Sequence, residues 1–560
     1  MKLVIFYMAI MVSVSACDVG FKSRDPHKYP ENPKGYSKVD VPTTHGNWFL
    51  KDAEKDGFEG LGSDRAIAQY DLKNERQIIV AVIDSGVDVN HEDLKGKIWQ
   101  NPGETGADAK GNDKATNKVD DDGNGYIDDI YGWNFLGGPD GKHIENETLE
   151  MTREMVRFDK RIAAGEILTS EEKNYYSGVE KVYTKEKNEV SETLKTMEPE
   201  EKKVVAFKAV LKEKLNLEDF SKEALEKIES KDSGVNEAKS YLLEITTKYR
   251  SVDRFGRVFE NAKNAITYFL NKEFNPRTAI VGDDPDDFSQ IHYGNNDVGG
   301  PDASHGTHVS GIIAATRGNG VGMDGIAENV KIMVLRAVPN GDERDKDIAL
   351  SVRYAVDNGA NIINMSFGKG FSPSKSMVDA AFLYASEKGV LVIHAAGNDS
   401  KNLDVEGNFQ NRRVKDAEAK NLSKEISTWI EIGASSKDKG LNLVAKFSNY
   451  GKSNVDIFSP GVELNSTIPD NKYAVFSGTS MASPAAAGAA ALLMSNFANM
   501  TAVQAKAIML NQKRVHEGLS VRLPGSDKLD LPVLFSGLSI TGGIVDALKC
   551  VALATQLSGL

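Results

Sequence analysis

The sequence predicts an α/β fold with a mostly parallel central sheet, interrupted by one long helical insertion. Two observations carry this. Strand-length apolar runs alternate with helix-length stretches, which implies a parallel sheet with helices on both faces. A segment at about 144–273, rich in Glu and Lys, instead shows apolar residues at helical spacing against charged faces.

In order, 77–82 reads as the first strand of the body, and the segment opening at His305 as the first clear helix after it. Residues 330–338 form a strand, 347–358 a helix and 361–365 a strand. A helix at 374–388 precedes Gly389-Val-Leu-Val-Ile-His-Ala-Ala-Gly397-Asn398, a buried strand ending at a Gly-Asn turn. Residues 429–433 and 455–458 are later strands, and 478–495 is an Ala-rich helix with Ser480 at its start. A helix N-terminus favours negative charge.

Three segments carry candidate chemistry: Val80-Ala-Val-Ile-Asp84-Ser-Gly, His305-Gly-Thr-His-Val-Ser-Gly and Gly478-Thr-Ser480-Met-Ala-Ser-Pro. A serine hydroxyl needs a base within hydrogen-bonding reach. Imidazole suits that role because its pKa, about 6.5, lies near working pH. A carboxylate then fixes the tautomer and stabilises the imidazolium. Taken singly, Asp84 could be a turn residue, Ser480 an N-cap and His305 a helix-start histidine or half of a metal pair. Their order in the chain, Asp then His then Ser, is that of subtilisin and differs from the chymotrypsin and α/β-hydrolase orders.

These segments resemble the subtilisin-like (S8) serine peptidases, from about Trp48 to near Leu560 apart from the insertion. The resemblance implies a subtilisin-like three-layer fold, with the insertion between the catalytic Asp and His. It makes Ser480 the nucleophile, His305 the base and Asp84 its orienting group. It also makes Asn398 an oxyanion donor beside the backbone N–H of Ser480, where the related sedolisins carry an aspartate. His308 and His91 it treats as structural. Asn361-Ile-Ile-Asn-Met-Ser366-Phe367-Gly368 resembles the family strand that pairs with an extended substrate and borders the S1 pocket, with Phe367 in place of the usual Leu. The implied partners are protein or peptide substrates in extended conformation. The rivals are a catalytically idle scaffold acting through the insertion, and another hydrolase, such as an esterase, using the same triad. No His-Glu-x-x-His occurs, so a zinc peptidase is not supported.

With 560 residues the chain can hold a large core, and its net charge of -13 argues against a nucleic-acid partner. Cys17 and Cys550 are the only cysteines, so no disulfide framework is implied. Met1-Lys2, an apolar run over 3–14 and Val14-Ser-Ala-Cys17 resemble a bacterial lipobox, in which Cys17 is acylated after cleavage. The run is too short to span a bilayer, which takes about 20 residues. The expected organisation is a lipoprotein signal peptide at 1–17, a tether at 18–45 and a peptidase domain at 46–560. The implied location is a bacterial cell envelope, lipid-anchored at the outer membrane, periplasmic face or cell surface; the length, lipobox and Tyr293-Gly-Asn-Asn-Asp run resemble envelope subtilases of the Bacteroidota. The stretch before the first strand is short for the usual folding propeptide. Gly543-Ile-Val-Asp-Ala-Leu-Lys resembles the family's closing helix, which leaves no room for a further domain after it. Cys550 reads as a small core residue.

His305 follows Asp84 by 221 positions, where the family needs a short connection. One filler, Asp120-Asp-Asp122-Gly-Asn124-Gly-Tyr126-Ile-Asp128-Asp129, spaces oxygen ligands as an EF-hand begins, with candidate calcium ligands at Asp120, Asp122, Asn124, Tyr126 and Asp128. Tyr131 stands where a bidentate Glu would close a full EF-hand, and an acidic turn without metal is the alternative. The other filler is the helical insertion, with segments at 199–215, 221–229 and 262–270, expected beside or over the cleft. It is a lid, a gating arm, a partner surface or plain decoration. Asp283-Asp-Pro-Asp-Asp287 is a second cation turn or a charged loop.

Overall fold

A seven-residue run, Ile-Ile-Val-Ala-Val-Ile-Asp, forms β1 (Ile78–Asp84) and sets the architecture. The structure is a computed structural model that describes residues 47–526, except 416, 418, 419 and 421, and residues 532–558. Cys17 and the expected tether lie outside the described residues.

The strands in chain order are β1, β2 (Gly132–Asn134), β3 (Val330–Arg336), β4 (Ile362–Met365), β5 (Leu391–Ala395), β6 (Trp429–Ser435) and β7 (Ile457–Pro460). They are followed by β8 (Leu464–Ile468), β9 (Lys472–Phe476), β10 (Arg514–Val515), β11 (Ser520–Arg522), β12 (Pro532–Leu534) and β13 (Gly543–Ile544). Nine of them form one sheet in the order β10-β13-β7-β6-β5-β4-β1-β3-β2. Every pair in it is parallel except the edge pair β10 and β13. The pairs β8–β9 and β11–β12 are separate antiparallel ribbons.

Helices cover both faces, giving three layers. Helices Asp345–Asp357 and Lys375–Glu387 pack on the face formed by Ala81, Ile83, Met333, Leu335, Ile363 and Met365. Helices Ser304–Ala314 and Thr479–Asn496 cover the other. All residues of Thr479–Asn496 are buried, and its many alanines bring its backbone close to the sheet. β1 runs two residues beyond the expected 77–82 because β3 pairs with it as far as Asp84↔Arg336, so ladder bonding outlasts the apolar run.

The sheet order reverses at β1, whose neighbours are β3 on one side and β4 on the other. In open parallel sheets such a switch point opens a crevice at the carboxyl ends of the strands. Asp84 is the last residue of β1, at that crevice.

The chain divides into two compact units, the second comprising Met151–Asn275 against an expected insertion of about 144–273. Its longest element is Ser170–Leu215, a helix of 46 residues opened by a capping box of Thr169 and Glu172. The sequence pattern began a helix at Pro199, but the helix passes through that proline. Tyr183, Val190, Met197, Val204 and Leu211 recur every seven residues as one buried seam across it, and that packing outweighs one lost internal N–H. The seam meets Val235, Leu242 and Ile245 of helix Ser233–Tyr249 and Phe255 of the following helix, so this unit has its own core. Among the described residues no helix is long and apolar enough to cross a membrane.

The chain re-enters the first unit at a buried charge cluster. Arg277, fully inaccessible, donates to Asp283 at 2.5 and 3.0 Å and to Asp347 at 2.7 and 2.8 Å. Lys346 Nζ also reaches Asp283, at 2.8 Å, and Tyr293 Oη donates to Asp347. Asp283 is therefore matched by protein cations. Asp287 accepts from the Ser289 N–H and hydroxyl, an ordinary turn.

Candidate active site

The Asp84 carboxylate is buried, and its Oδ1 accepts from His305 Nδ1 at 2.7 Å and from the Ser85 N–H at 2.7 Å. His305 is the second residue of helix Ser304–Ala314, so the helix start aims the ring at the end of β1. Their approach requires glycines. A Cβ on Gly306 would lie 2.2 Å from the Gly86 carbonyl, and Gly86 itself sits at φ +125°, where a side chain would strike Gly299 O at 2.2 Å. The Asp-Ser-Gly and His-Gly motifs are thus two halves of one contact. A carboxylate at Nδ1 places the ring proton there and leaves Nε2 as the basic nitrogen.

Arg336, at the end of β3, braces the turn after Asp84: its Nε donates to Ser85 O at 2.9 Å, and Nη1 and Nη2 go to Asn134 Oδ1 and Ile144 O. Burial pulls its pKa down to about 10, which still leaves the cation intact at neutral pH. Sequence reasoning missed this residue, because an arginine ending an apolar strand carries no distinguishing signal.

His308, one turn further along the same helix, is fully buried, stacked on Phe476 with ring centroids 4.2 Å apart, and bonded through Nε2 to Ala474 O at 3.0 Å. Burial, opposed by the bond to Ala474 and aided by His305, pushes its pKa down to about 3, so it stays neutral and structural.

Ser480 is the second residue of helix Thr479–Asn496, in the first turn where backbone N–H groups have no intrahelical acceptor. Its Oγ donates to Ser366 O at 3.1 Å, and Ser366 Oγ donates back to Ser480 O at 3.0 Å while meeting Ser483 Oγ at 2.8 Å. Asn364 Nδ2 reaches Ser366 Oγ at 3.0 Å. Ser366 is therefore an internal clamp on the Ser480 turn. Asn398 Oδ1 accepts from both the N–H and the hydroxyl of Thr479, at 2.8 and 2.9 Å. Only an oxygen can face that backbone N–H, so the amide NH₂ of Asn398 points away from this anchor.

The turn carrying Asn398 is held by Asn449, which sequence reasoning also missed. Its Oδ1 accepts from the N–H groups of Asp399 and Lys401 at 3.0 and 2.8 Å, and its Nδ2 donates to Ala396 O at 2.8 Å. Asn449 fits because Gly397, at φ +101°, has no Cβ; one there would lie 2.5 Å from Asn449 Nδ2. The only signal was a turn-forming Asn-Tyr-Gly.

β4 ends at Met365, and the chain next makes an isolated antiparallel bridge at Lys369. The Phe367 ring is buried in the core, edge-on to His394 at 6.4 Å. Lys369 pairs with Phe409 in both directions, N–H to O at 2.6 Å and O to N–H at 3.0 Å. The N–H and C=O of Gly368, the residue before that bridge, are bonded by no described residue.

Of the five residues singled out as calcium ligands, the structure brings Asp120 and Asp122 together, and it adds Glu104; carboxylate oxygens of these three lie within 4.8 Å of one another. Asp120 also accepts from the N–H groups of Gly123, Asn124 and Gly125. Asn124 instead bonds the Tyr126 N–H and Asp129, Asp128 accepts from the Lys118 N–H, and the Tyr126 ring packs on Trp133 and Tyr354. Glu104 is inaccessible; Oε1 accepts from the Asp121 N–H at 2.7 Å, while Oε2 has no partner among the described residues. Burial, and then the charges of Asp129, Asp122 and Asp121, push its carboxyl up to about 7. An unpartnered buried carboxylate oxygen facing two more carboxylates fits a hard divalent cation.

The family whose sequence model matches is described as the Subtilase family, over residues 75–525. The chain is 40% identical over 198 residues to the Thermophilic serine proteinase of Bacillus sp. (strain AK1), covering 35% of this chain and 44% of that protein. It is 36% identical over 210 residues to the Cell wall-associated protease of Bacillus subtilis (strain 168), covering 37% and 21%. To Subtilisin DY of Bacillus licheniformis it is 36% identical over 205 residues, covering 36% and 67%. The chain thus spans less than half the length of the first two relatives.

The neutral His308 sets a pH dependence. As pH falls from about 6.5 towards 3, the unfolded chain binds a proton that the folded chain refuses, so stability drops by up to about 1.4 kcal/mol per pH unit from this residue. Urea unfolding across pH 7 to 4 is expected to show a shallower loss for His308→Gln than for the wild type.

Proposed function

This chain belongs to the subtilase family, and we propose that it is a serine endopeptidase acting through Asp84, His305 and Ser480. The observation that supports this most is the 2.7 Å bond between His305 Nδ1 and Asp84, on a helix that packs against the one whose first turn carries Ser480. In this reading His305 Nε2 takes the Ser480 proton as Oγ attacks the scissile carbonyl, and later gives it to the leaving amine. Asp84 stays ionised and stabilises the imidazolium. The developing oxyanion is met by the Asn398 amide, whose orientation Thr479 sets, and by the Ser480 backbone N–H at the positive end of the helix.

Substrates are extended polypeptides that pair with the Gly368 edge as an added strand. Ser366 serves this by holding the segment to the Ser480 turn rather than by touching substrate. Calcium would be held by the carboxylates of Glu104, Asp120 and Asp122, offsetting their mutual repulsion and stabilising the loop. The envelope location rests on the lipobox-like Val14-Ser-Ala-Cys17, with Cys17 acylated and the chain anchored to a membrane.

Ser480→Ala is expected to lower kcat by on the order of 10⁶ on a chromogenic peptide, and Asn398→Ala by about 10²–10³. Equal turnover by wild type and Ser480→Ala would remove the enzyme reading and favour the idle scaffold. The melting temperature is expected to be higher in calcium than in chelator, with most of that difference gone in Glu104→Gln; a difference unchanged by Glu104→Gln would move the ion elsewhere. Cells fed labelled palmitate should label the full-length wild type and not Cys17→Ser.

A further inference from the structure

Lys369 immediately follows the Ser366-Phe367-Gly368 segment, and its ammonium is completely inaccessible. The three ammonium protons have three acceptors: Glu150 Oε2 at 2.8 Å, Asp345 Oδ1 at 2.8 Å and Glu343 O at 2.8 Å. Two carboxylates against one cation, with a carbonyl completing the shell, make a satisfied buried site in which the lysine has one geometry. Asp345 is itself fixed, accepting from Ser372 Oγ and from the Ser374 N–H. Glu150 is anchored too: its N–H donates to Asp342 Oδ2 at 2.8 Å.

The position of this charge matters more than its strength. The Lys369 backbone is the rung that pairs with Phe409, and the adjacent residue, Asn408, donates through Nδ2 to Ala396 O in the turn carrying Asn398. A Cβ on Gly368 would lie 3.0 Å from Phe409 O and 3.3 Å from Asn408 Oδ1, so the two segments pack closely there. Glu150 is the last residue of the first unit before the chain enters the helical unit. We infer that Lys369 is a positioning residue: clamped by Glu150 and Asp345, it fixes the segment whose unbonded N–H and C=O, at Gly368, receive the substrate backbone. The point where the helical unit leaves is thereby part of the support of the substrate edge. This rests on the peptidase reading above.

The experiment separates use of the strand edge from the chemistry. Lys369→Met and Glu150→Gln are compared with wild type for KM and kcat on an extended chromogenic peptide, and for the rate of labelling by a small fluorophosphonate, which reports Ser480 without needing the edge. Lys369→Met is expected to raise KM about 10-fold, the loss of roughly one main-chain hydrogen bond in binding, with kcat and labelling within about 2-fold. Glu150→Gln keeps a carbonyl acceptor and the Asp345 pair, so about a 3-fold rise in KM is expected. Should Lys369→Met not fold, the near-isosteric Glu150→Gln carries the test. Unchanged KM in the folded variants, or labelling that falls in parallel with peptide turnover, would overturn the inference. A wild type that turns over no peptide would overturn the peptidase reading itself, a distinct result.

Discussion

The Asp84–His305 hydrogen bond is the constraint on which the rest of the first unit depends. It joins the end of β1 to the start of a helix 221 positions later, and it forms only because two glycine turns meet nearly atom to atom. β3 and β4 hold β1 from both sides up to its last residues, so the carboxylate has a fixed origin. The cost of closing a loop grows only slowly with its length, so a large insertion between the two residues is tolerable if its ends are held. A segment of that size must still bury its own apolar face. The seven-residue seam of helix Ser170–Leu215, closed by Leu242 and Phe255, does so within the second unit.

The ends are held by buried charge. Arg277 divides its guanidinium between two carboxylates where the chain returns, and Lys369 gathers Glu150 and Asp345 where it leaves. Both clusters use the first turn of helix Asp345–Asp357, whose N-terminus favours the Asp345 and Asp347 charges. Such clusters add little net stability over an apolar core, but losing one partner strands the others, at a cost of about 3–5 kcal/mol. They fix geometry. Asn449 and Arg336 do the same with uncharged partners, satisfying backbone carbonyls in the turns that carry Asn398 and Asp84.

Strand and helix order was readable because buried parallel strands are short apolar runs with helices between them, and the deviations have local causes. The helical spacing over 199–215 opens at Pro199, yet the helix runs through it, because a seam continuing on both sides outweighs one missing N–H. The acidic loop was read on EF-hand spacing, which assumes one continuous loop supplies the ligands. Folding instead turns Asn124 and Asp128 to local bonds and brings in Glu104 from a different turn. Phe367 was read as a pocket residue, and the structure buries its ring in the core.

The sequence alone determined the residue types and their order: a carboxylate ending a strand, an imidazole and a hydroxyl each opening a helix, and an Asn after a Gly turn. Those are local facts, because strand ends, helix starts and glycine turns are written in a few consecutive residues. Only the tertiary structure decided which groups hold them. Thr479 on Asn398, Asn449 on Ala396, Arg336 on Ser85, Glu150 on Lys369 and Glu104 beside Asp120 are, apart from the last, contacts between residues more than 50 positions apart. Each is a directional bond made when the sheet and its crossover helices close, and no periodicity in the chain encodes such a pairing.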